Sequence, residues 1–136
     1  MTILVNPNAK ALIFDLDGTL SDSLPVHVAT WNKVGEMCGF NFDPQIVYDM
    51  TGRPTIEFAK RIIAIHGLEQ TPEEIVQLKQ HFFWDSAELL NPVQEVLTIV
   101  KTYYGKLPMA VGTGASRKSA DVQLKTLDIA KYFDFV

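Results

Sequence analysis

Two carboxylates one residue apart, Asp15 and Asp17, close a short apolar run and are followed at once by Gly18 and Thr19. A second apolar run, Leu107-Pro-Met-Ala-Val111, ends in Gly112-Thr113-Gly114, with Ser116 shortly after it. Where Ser116 starts a helix, the backbone N–H groups of that glycine-flanked turn are free, and geometry and dipole favour a phosphate there. Carboxylates that face an anion site call for a cation between them, and oxygen ligands of this kind suit Mg²⁺. Other readings of these residues fare differently. As an EF-hand loop, Asp15-x-Asp17-Gly18 has its glycine two positions early and no glutamate at the twelfth position, so that reading fails. As a dinucleotide fingerprint, Gly112-x-Gly114 lacks a third glycine and an acidic partner. Loop carboxylates after a strand, and Thr113 as a plain helix-entry residue, are the simpler alternatives.

These residues need a scaffold. Ala11 to Phe14 is a run of the length of a strand buried in a parallel sheet, stopped by Asp and Gly. Residues 107–111 form a second such run, with Pro108 at its start, where a missing N–H is tolerated. A third begins at Phe133-Asp-Phe-Val136. Between the first two the pattern is helical. His27, Trp31, Val34 and Cys38 share one face of a helix ending at Gly39, and Ile56, Ala59, Ile63 and His66 repeat that spacing up to Gly67. Thr71-Pro72-Glu73-Glu74 has the form of a capping box with proline at the first helical position, and predicts a long helix carried by Ile75, Leu78, Phe82 and Leu89 toward Leu90. Asn91-Pro92 restarts the chain into a helix reaching Tyr104, and Ser116 opens a last one through Leu124 and Leu127.

A parallel crossover requires only one helix, so the surplus is an inserted helical module. The expected fold is α/β, a Rossmann-like parallel-sheet core of residues 1–20 and 91–136 with an α-helical domain of residues 21–90 inserted in it. In such sheets, ligands bind beyond the carboxyl ends of the strands, where Asp15 and Thr113 stand.

The chain has 136 residues, 47% of them hydrophobic, enough to bury a core and to exclude disorder. With 12 basic and 16 acidic residues the net charge is −4, which argues against a nucleic-acid footprint and against a polybasic membrane anchor. The single cysteine, Cys38, cannot form an internal disulfide and reads as a core residue. No apolar stretch has membrane-spanning length and the N-terminus lacks the features of a signal peptide, so the expected location is the cytoplasm.

Phe14-Asp-Leu-Asp-Gly-Thr-Leu20 resembles the first motif, D-x-D-x-T, of the haloacid dehalogenase superfamily, and Val111-Gly-Thr113 resembles its second, a hydrophobic strand ending in Thr or Ser. The helical insert is similar to the α-helical cap of the β-phosphoglucomutase-like branch. Within that branch, Met109-Ala-Val-Gly-Thr-Gly-Ala115 and Thr51-Gly-Arg-Pro-Thr55 look like the phosphatases of fructose-1-phosphate or 6-phosphogluconate. The resemblance implies Asp15 as nucleophile, forming an aspartyl-phosphate, and Asp17 as general acid and base. It implies Mg²⁺ held by Asp15 and Asp17, and phosphate contacts from Gly18, Thr19, Thr113 and Gly114. His27 lies at the offset of a cap histidine near the substrate, although its face shared with Trp31 and Val34 also suits a packed histidine. Arg53 follows a turn glycine where the branch puts substrate-facing residues, and a solvated surface arginine reads the same way.

The implied activity is Mg²⁺-dependent hydrolysis of small phosphorylated sugars. A phosphosugar mutase and a non-catalytic binding module are the alternatives. The family's phosphate-binding lysine and its remaining Mg²⁺ acids have no match here, because Lys118, Lys125, Lys131, Asp121 and Asp128 fall on or beside the helix after Thr113. The expectation from this resemblance is a core truncated at its C-terminal end, close to inactive and prone to associate as residues 1–136 alone, and a monomer when whole.

Overall fold

A computed structural model describes residues 2–136; Met1, where the expected core begins, lies outside the described residues. The chain divides into two compact units, one taking the chain up to Ser23 and again Leu90–Val136, the other Leu24–Leu89.

In the α/β unit, β1 (Leu12–Phe14) and β2 (Met109–Val111) pair in parallel, with Leu12 opposite Met109, Ile13 opposite Ala110 and Phe14 opposite Val111. α5 (Gln94–Tyr103) lies between the two strands in the chain and α6 (Arg117–Thr126) follows β2. Their apolar faces, through Val96, Leu97, Val100, Ala120 and Leu124, share one core with Leu16, Leu20, Met109 and Val111. Leu12 and Phe14 pack against that core, whereas Ile13, pointing to the opposite face, is 78% exposed. The expectation of a fully buried first strand is therefore corrected: among the described residues, helices cover one face of the ladder. The expected third strand is an isolated parallel bridge from Ala110 to Phe135, in which the Val111 N–H donates to the Phe135 carbonyl (2.9 Å) and the Asp134 N–H to that of Met109 (2.8 Å). The crossover helix begins later than Pro92, because residues 91–93 are bound to the first loop. Ser21 bridges Pro92, and the Val93 N–H donates to the Leu20 carbonyl (3.0 Å).

In the helical unit, α1 (Leu24–Cys38), α3 (Thr55–His66) and α4 (Pro72–Asp85) surround a separate core that includes Trp31, Val34, Phe58, Ala59, Ile62 and Ile75. The stops expected at Gly39 and Gly67 are both left-handed, at φ 79° and 62°. The capping box is complete: the Glu74 N–H donates to Thr71 Oγ1 (3.2 Å), and the Thr71 N–H to Glu74 Oε2 (2.8 Å). α4 ends sooner than its apolar pattern suggests. Ser86 is buried as its C-cap, a 3₁₀ turn (Ala87–Leu89) succeeds it, and Leu89 is 59% exposed instead of continuing the stripe. A short α2 (Gln45–Asp49) comes after Asp43-Pro44, where the Gln45 N–H donates to the Asp43 carboxylate (3.0 Å).

Candidate active site

β1 ends at Phe14, and the next residues are turned by two leucines. Leu16 and Leu20 are 0% and 1% exposed, and the Leu16 carbonyl accepts the N–H groups of Thr19, Leu20 and Ser21 at 3.0–3.1 Å. With those anchors in the core, Asp15 is exposed and Asp17 half-buried. Gly18 takes φ 76°, a left-handed conformation that a Cβ would strain, and its N–H donates to the Ser21 carbonyl (2.8 Å). The Thr19 hydroxyl donates to Asp15 Oδ2 at 3.3 Å. Asp17 is gripped more tightly. Its Oδ1 accepts the Ser23 hydroxyl at 2.6 Å and the Gln123 amide Nε2 at 3.0 Å.

The second loop leaves the sheet beside the first. Phe14 and Val111 are register partners, and the Gly112 N–H donates to the Phe14 carbonyl at 2.9 Å. Gly112 lies against β1, where an added Cβ would stand 3.4 Å from Ile13 Cγ2. Thr113 is half-buried, and its Oγ1 accepts the Ala115 N–H at 3.0 Å, so its own hydroxyl hydrogen remains to be donated. Gly114 is exposed, and Ser116 caps α6 by accepting the Ser119 N–H at 3.3 Å. Asp15, Asp17, Gly18, Thr19, Thr113 and Gly114 thus all belong to the α/β unit, on the two loops that come after neighbouring parallel strands.

His27 and Arg53 belong to the helical unit. His27 stacks on Phe83 (centroids 4.5 Å apart, planes at 9°), and its Nδ1 is 2.8 Å from Lys79 Nζ. The ammonium of Lys79 lies 4.7 Å over the same ring although the residue is only 5% exposed. Arg53 is exposed and lines an open groove of about 460 Å³ with Met50, Glu57, Lys60 and Arg61.

Sequence reading missed three polar residues, Ser23, Lys79 and Gln123. The last two carry a signal, as polar residues on an apolar stripe: Lys79 at four from Ile75 and from Phe83, Gln123 at three from Ala120 and four from Leu127. Among the described residues, no three His, Cys, Asp or Glu side chains cluster to hold a metal ion. A hard cation can draw on the exposed Asp15 carboxylate and the main-chain carbonyl of Asp17. That donor set suits Mg²⁺, which keeps several waters and takes one or two carboxylates.

Known proteins resemble the chain in sequence and in fold. YqaB of Escherichia coli, a fructose-1-phosphate phosphatase, is 35% identical over 129 residues, covering 92% of this chain and 66% of the relative. A phosphorylated carbohydrates phosphatase of Thermotoga maritima is 30% identical over 132 residues, covering 92% and 59%. A solved hydrolase from Pseudomonas syringae superposes with a TM-score of 0.76 at 20% identity, covering 94% of this chain and 61% of that one, a likeness of fold. The chain spans 59–66% of the length of these two curated relatives. The sequence profile of the haloacid dehalogenase-like hydrolases matches residues 12–136, from the first residue of β1 through both loops, and the chain belongs to that family.

Proposed function

We propose that the protein is a cytoplasmic Mg²⁺-dependent phosphatase of small phosphorylated sugars, working through an aspartyl-phosphate on Asp15. The observation that supports this most is the register of β1 and β2. Phe14 opposite Val111 sets an exposed carboxylate loop beside a loop of threonine and glycine, and such a pair can divide nucleophile and phosphate-binding work. The relatives at 30–35% identity whose names specify phosphorylated sugars support the substrate class.

In this reading an Asp15 oxygen attacks phosphorus in line while the bond to the sugar oxygen breaks. Asp17 gives its proton to that oxygen and the free sugar leaves. A water then loses a proton to the Asp17 carboxylate as its oxygen attacks phosphorus, and the bond to Asp15 breaks to release inorganic phosphate. The N–H of Gly114 and the hydroxyl of Thr113 donate to the phosphoryl oxygens, and Thr19 turns its hydroxyl from Asp15 toward them, while the Gly18 N–H stays on the Ser21 carbonyl and shapes the loop. A magnesium ion held by the Asp15 carboxylate and the Asp17 carbonyl supplies positive charge against the phosphate. The helical unit is the substrate-selecting cap, with His27 and Arg53 as its substrate residues.

The test is phosphate release by the product of the complete reading frame, in Mg²⁺, from fructose 1-phosphate, 6-phosphogluconate, hexose 6-phosphates and nucleoside monophosphates. Sugar phosphates are expected to lead. A nucleotide in first place overturns the substrate class, and turnover that requires a sugar bisphosphate makes the protein a mutase.

A further inference from the structure

Gln123 is a costly residue for its position. It is 0% exposed on the core face of α6, between Ala120 and Leu124. A leucine there would fill similar space without desolvating an amide, and a buried amide is unfavourable unless it is hydrogen-bonded. Its Nε2 has a partner in Asp17 Oδ1 at 3.0 Å, but its Oε1 is buried with no hydrogen-bond partner among the described residues. The amide cannot be turned to relieve this, since its oxygen would then face a carboxylate oxygen, acceptor against acceptor. Packing alone therefore does not account for the side chain, whereas the bond to Asp17 does.

We propose that Gln123 is a positioning residue: together with Ser23 it fixes the carboxyl group of Asp17 so that Oδ1 is tied into the core and proton exchange falls to Oδ2. The inference rests on the reading of Asp17 as the acid–base group. A carboxyl group otherwise rotates about its Cβ–Cγ bond, and a rotated acid presents the wrong oxygen. Two donors on Oδ1, the Ser23 hydroxyl at 2.6 Å and the Gln123 amide, oppose that rotation from two sides. In the acid form Oδ1 is the carbonyl-type acceptor of both, and the proton sits on Oδ2. As phosphorus bonds to Asp15 and its bond to the sugar oxygen breaks, the Oδ2 proton passes to that oxygen. The charge left on Asp17 keeps the same two donors.

The consequence is a dependence on the leaving group that a purely structural residue would not produce. An alkoxide leaving from a sugar phosphate requires the proton, while the activated phenolate of p-nitrophenyl phosphate departs without it. kcat/KM reports the steps up to aspartyl-phosphate formation, where this difference lies. In the product of the complete reading frame, Gln123→Leu should lower kcat/KM for the best sugar phosphate about tenfold, a fraction of what general acid catalysis supplies, and leave that for p-nitrophenyl phosphate within about twofold. The melting temperature should be unchanged or higher. Ser23→Ala, which removes the other donor, should show the same selective loss and stands in if Gln123→Leu fails to fold. Equal losses on both substrates, or no loss on either, overturn the proposal. Asp17→Asn, measured alongside, separates the two levels. If it spares the sugar phosphate, the acid–base reading itself falls and the positioning role with it. If it is selective while Gln123→Leu and Ser23→Ala are not, the positioning role alone falls.

Discussion

Asp15 and Asp17 differ in how the structure holds them, and the difference matches the work proposed for each. Asp15 is exposed and accepts the Thr19 hydroxyl at 3.3 Å, whereas Asp17 has two short donors on one oxygen. A nucleophile must reach phosphorus and an acid must hold an angle. Asp15→Asn keeps an oxygen for Thr19 and loses the nucleophile. It should leave the fold intact and reduce kcat by at least ~10³-fold, or about 4 kcal/mol of transition-state stabilisation. Residual turnover within about tenfold of wild type would remove Asp15 from that role. Cys38 gives a second test at this scale. Burial pushes its thiol above the ordinary value, so the folded chain holds that proton more tightly than the unfolded chain. The stability this contributes is complete below the ordinary thiol pKa, about 8.5, and declines as the pH rises past it. Urea midpoints of wild type and Cys38→Ala should therefore converge or cross above that pH, wild type losing more, and iodoacetamide should react with Cys38 more slowly than with free cysteine. A constant difference between the two proteins from neutral to alkaline pH would contradict the shift.

Elements carry the site by ending where they do. β1 and β2 stop level with each other, and α4 begins at a capping box that satisfies two terminal N–H groups. Thr71→Ala removes the side-chain acceptor and should destabilise the protein by about 1 kcal/mol, read as a lower urea midpoint, with Thr71→Ser close to wild type. An unchanged midpoint in the alanine variant would mean that the start of α4 is held by its packing alone. These ends were legible because they rest on local chemistry: Gly39 and Gly67 in left-handed turns, Thr71 with Glu74, Asp15 to Thr19 after an apolar run. What was not legible depends on the partner an element meets. Ile13 belongs to a run that reads as buried, yet its exposure is decided by the absence of a helix over that face among the described residues. Leu89 keeps the apolar character of α4, but the buried Ser86 turns the chain before it. Lys79 and Gln123 look like breaks in an apolar pattern until His27 and Asp17 are found beside them.

At the scale of the whole molecule, the helical unit is an insertion whose two ends are held together by the other unit. Just before it, the Asp22 N–H donates to the Asn91 carbonyl (2.8 Å); just after it, the Val93 N–H donates to the Leu20 carbonyl (3.0 Å). Ser21 bridges Pro92 antiparallel between them. Closing a long loop costs only a logarithmic entropy, so an insert whose ends are paired in this way can fold on its own core without disturbing its host. The residues of that core, from Trp31 through Ile62 to Ile75, all come from within Leu24–Leu89, and none belongs to the core of the α/β unit. Its helices also carry their own stops and starts, at Gly39, Gly67 and the Thr71 capping box. A domain of roughly 60 residues buries only about 60% of its unfolded surface, so its stability alone is small but positive. A chain of residues 24–89 should therefore show helical circular dichroism and a cooperative thermal transition well below that of the complete protein. With the half-buried Trp84 replaced by Phe so that Trp31 emits alone, the emission of Trp31, 1% exposed in the folded unit, should shift to the red in the same transition. Ile62→Ala in the isolated segment should abolish the transition, since the loss of about 2–5 kcal/mol exceeds what so small a core holds in reserve. A helical signal that melts without cooperativity, with Trp31 emission already red at low temperature, would show that the insert depends on its host for more than closure of its ends.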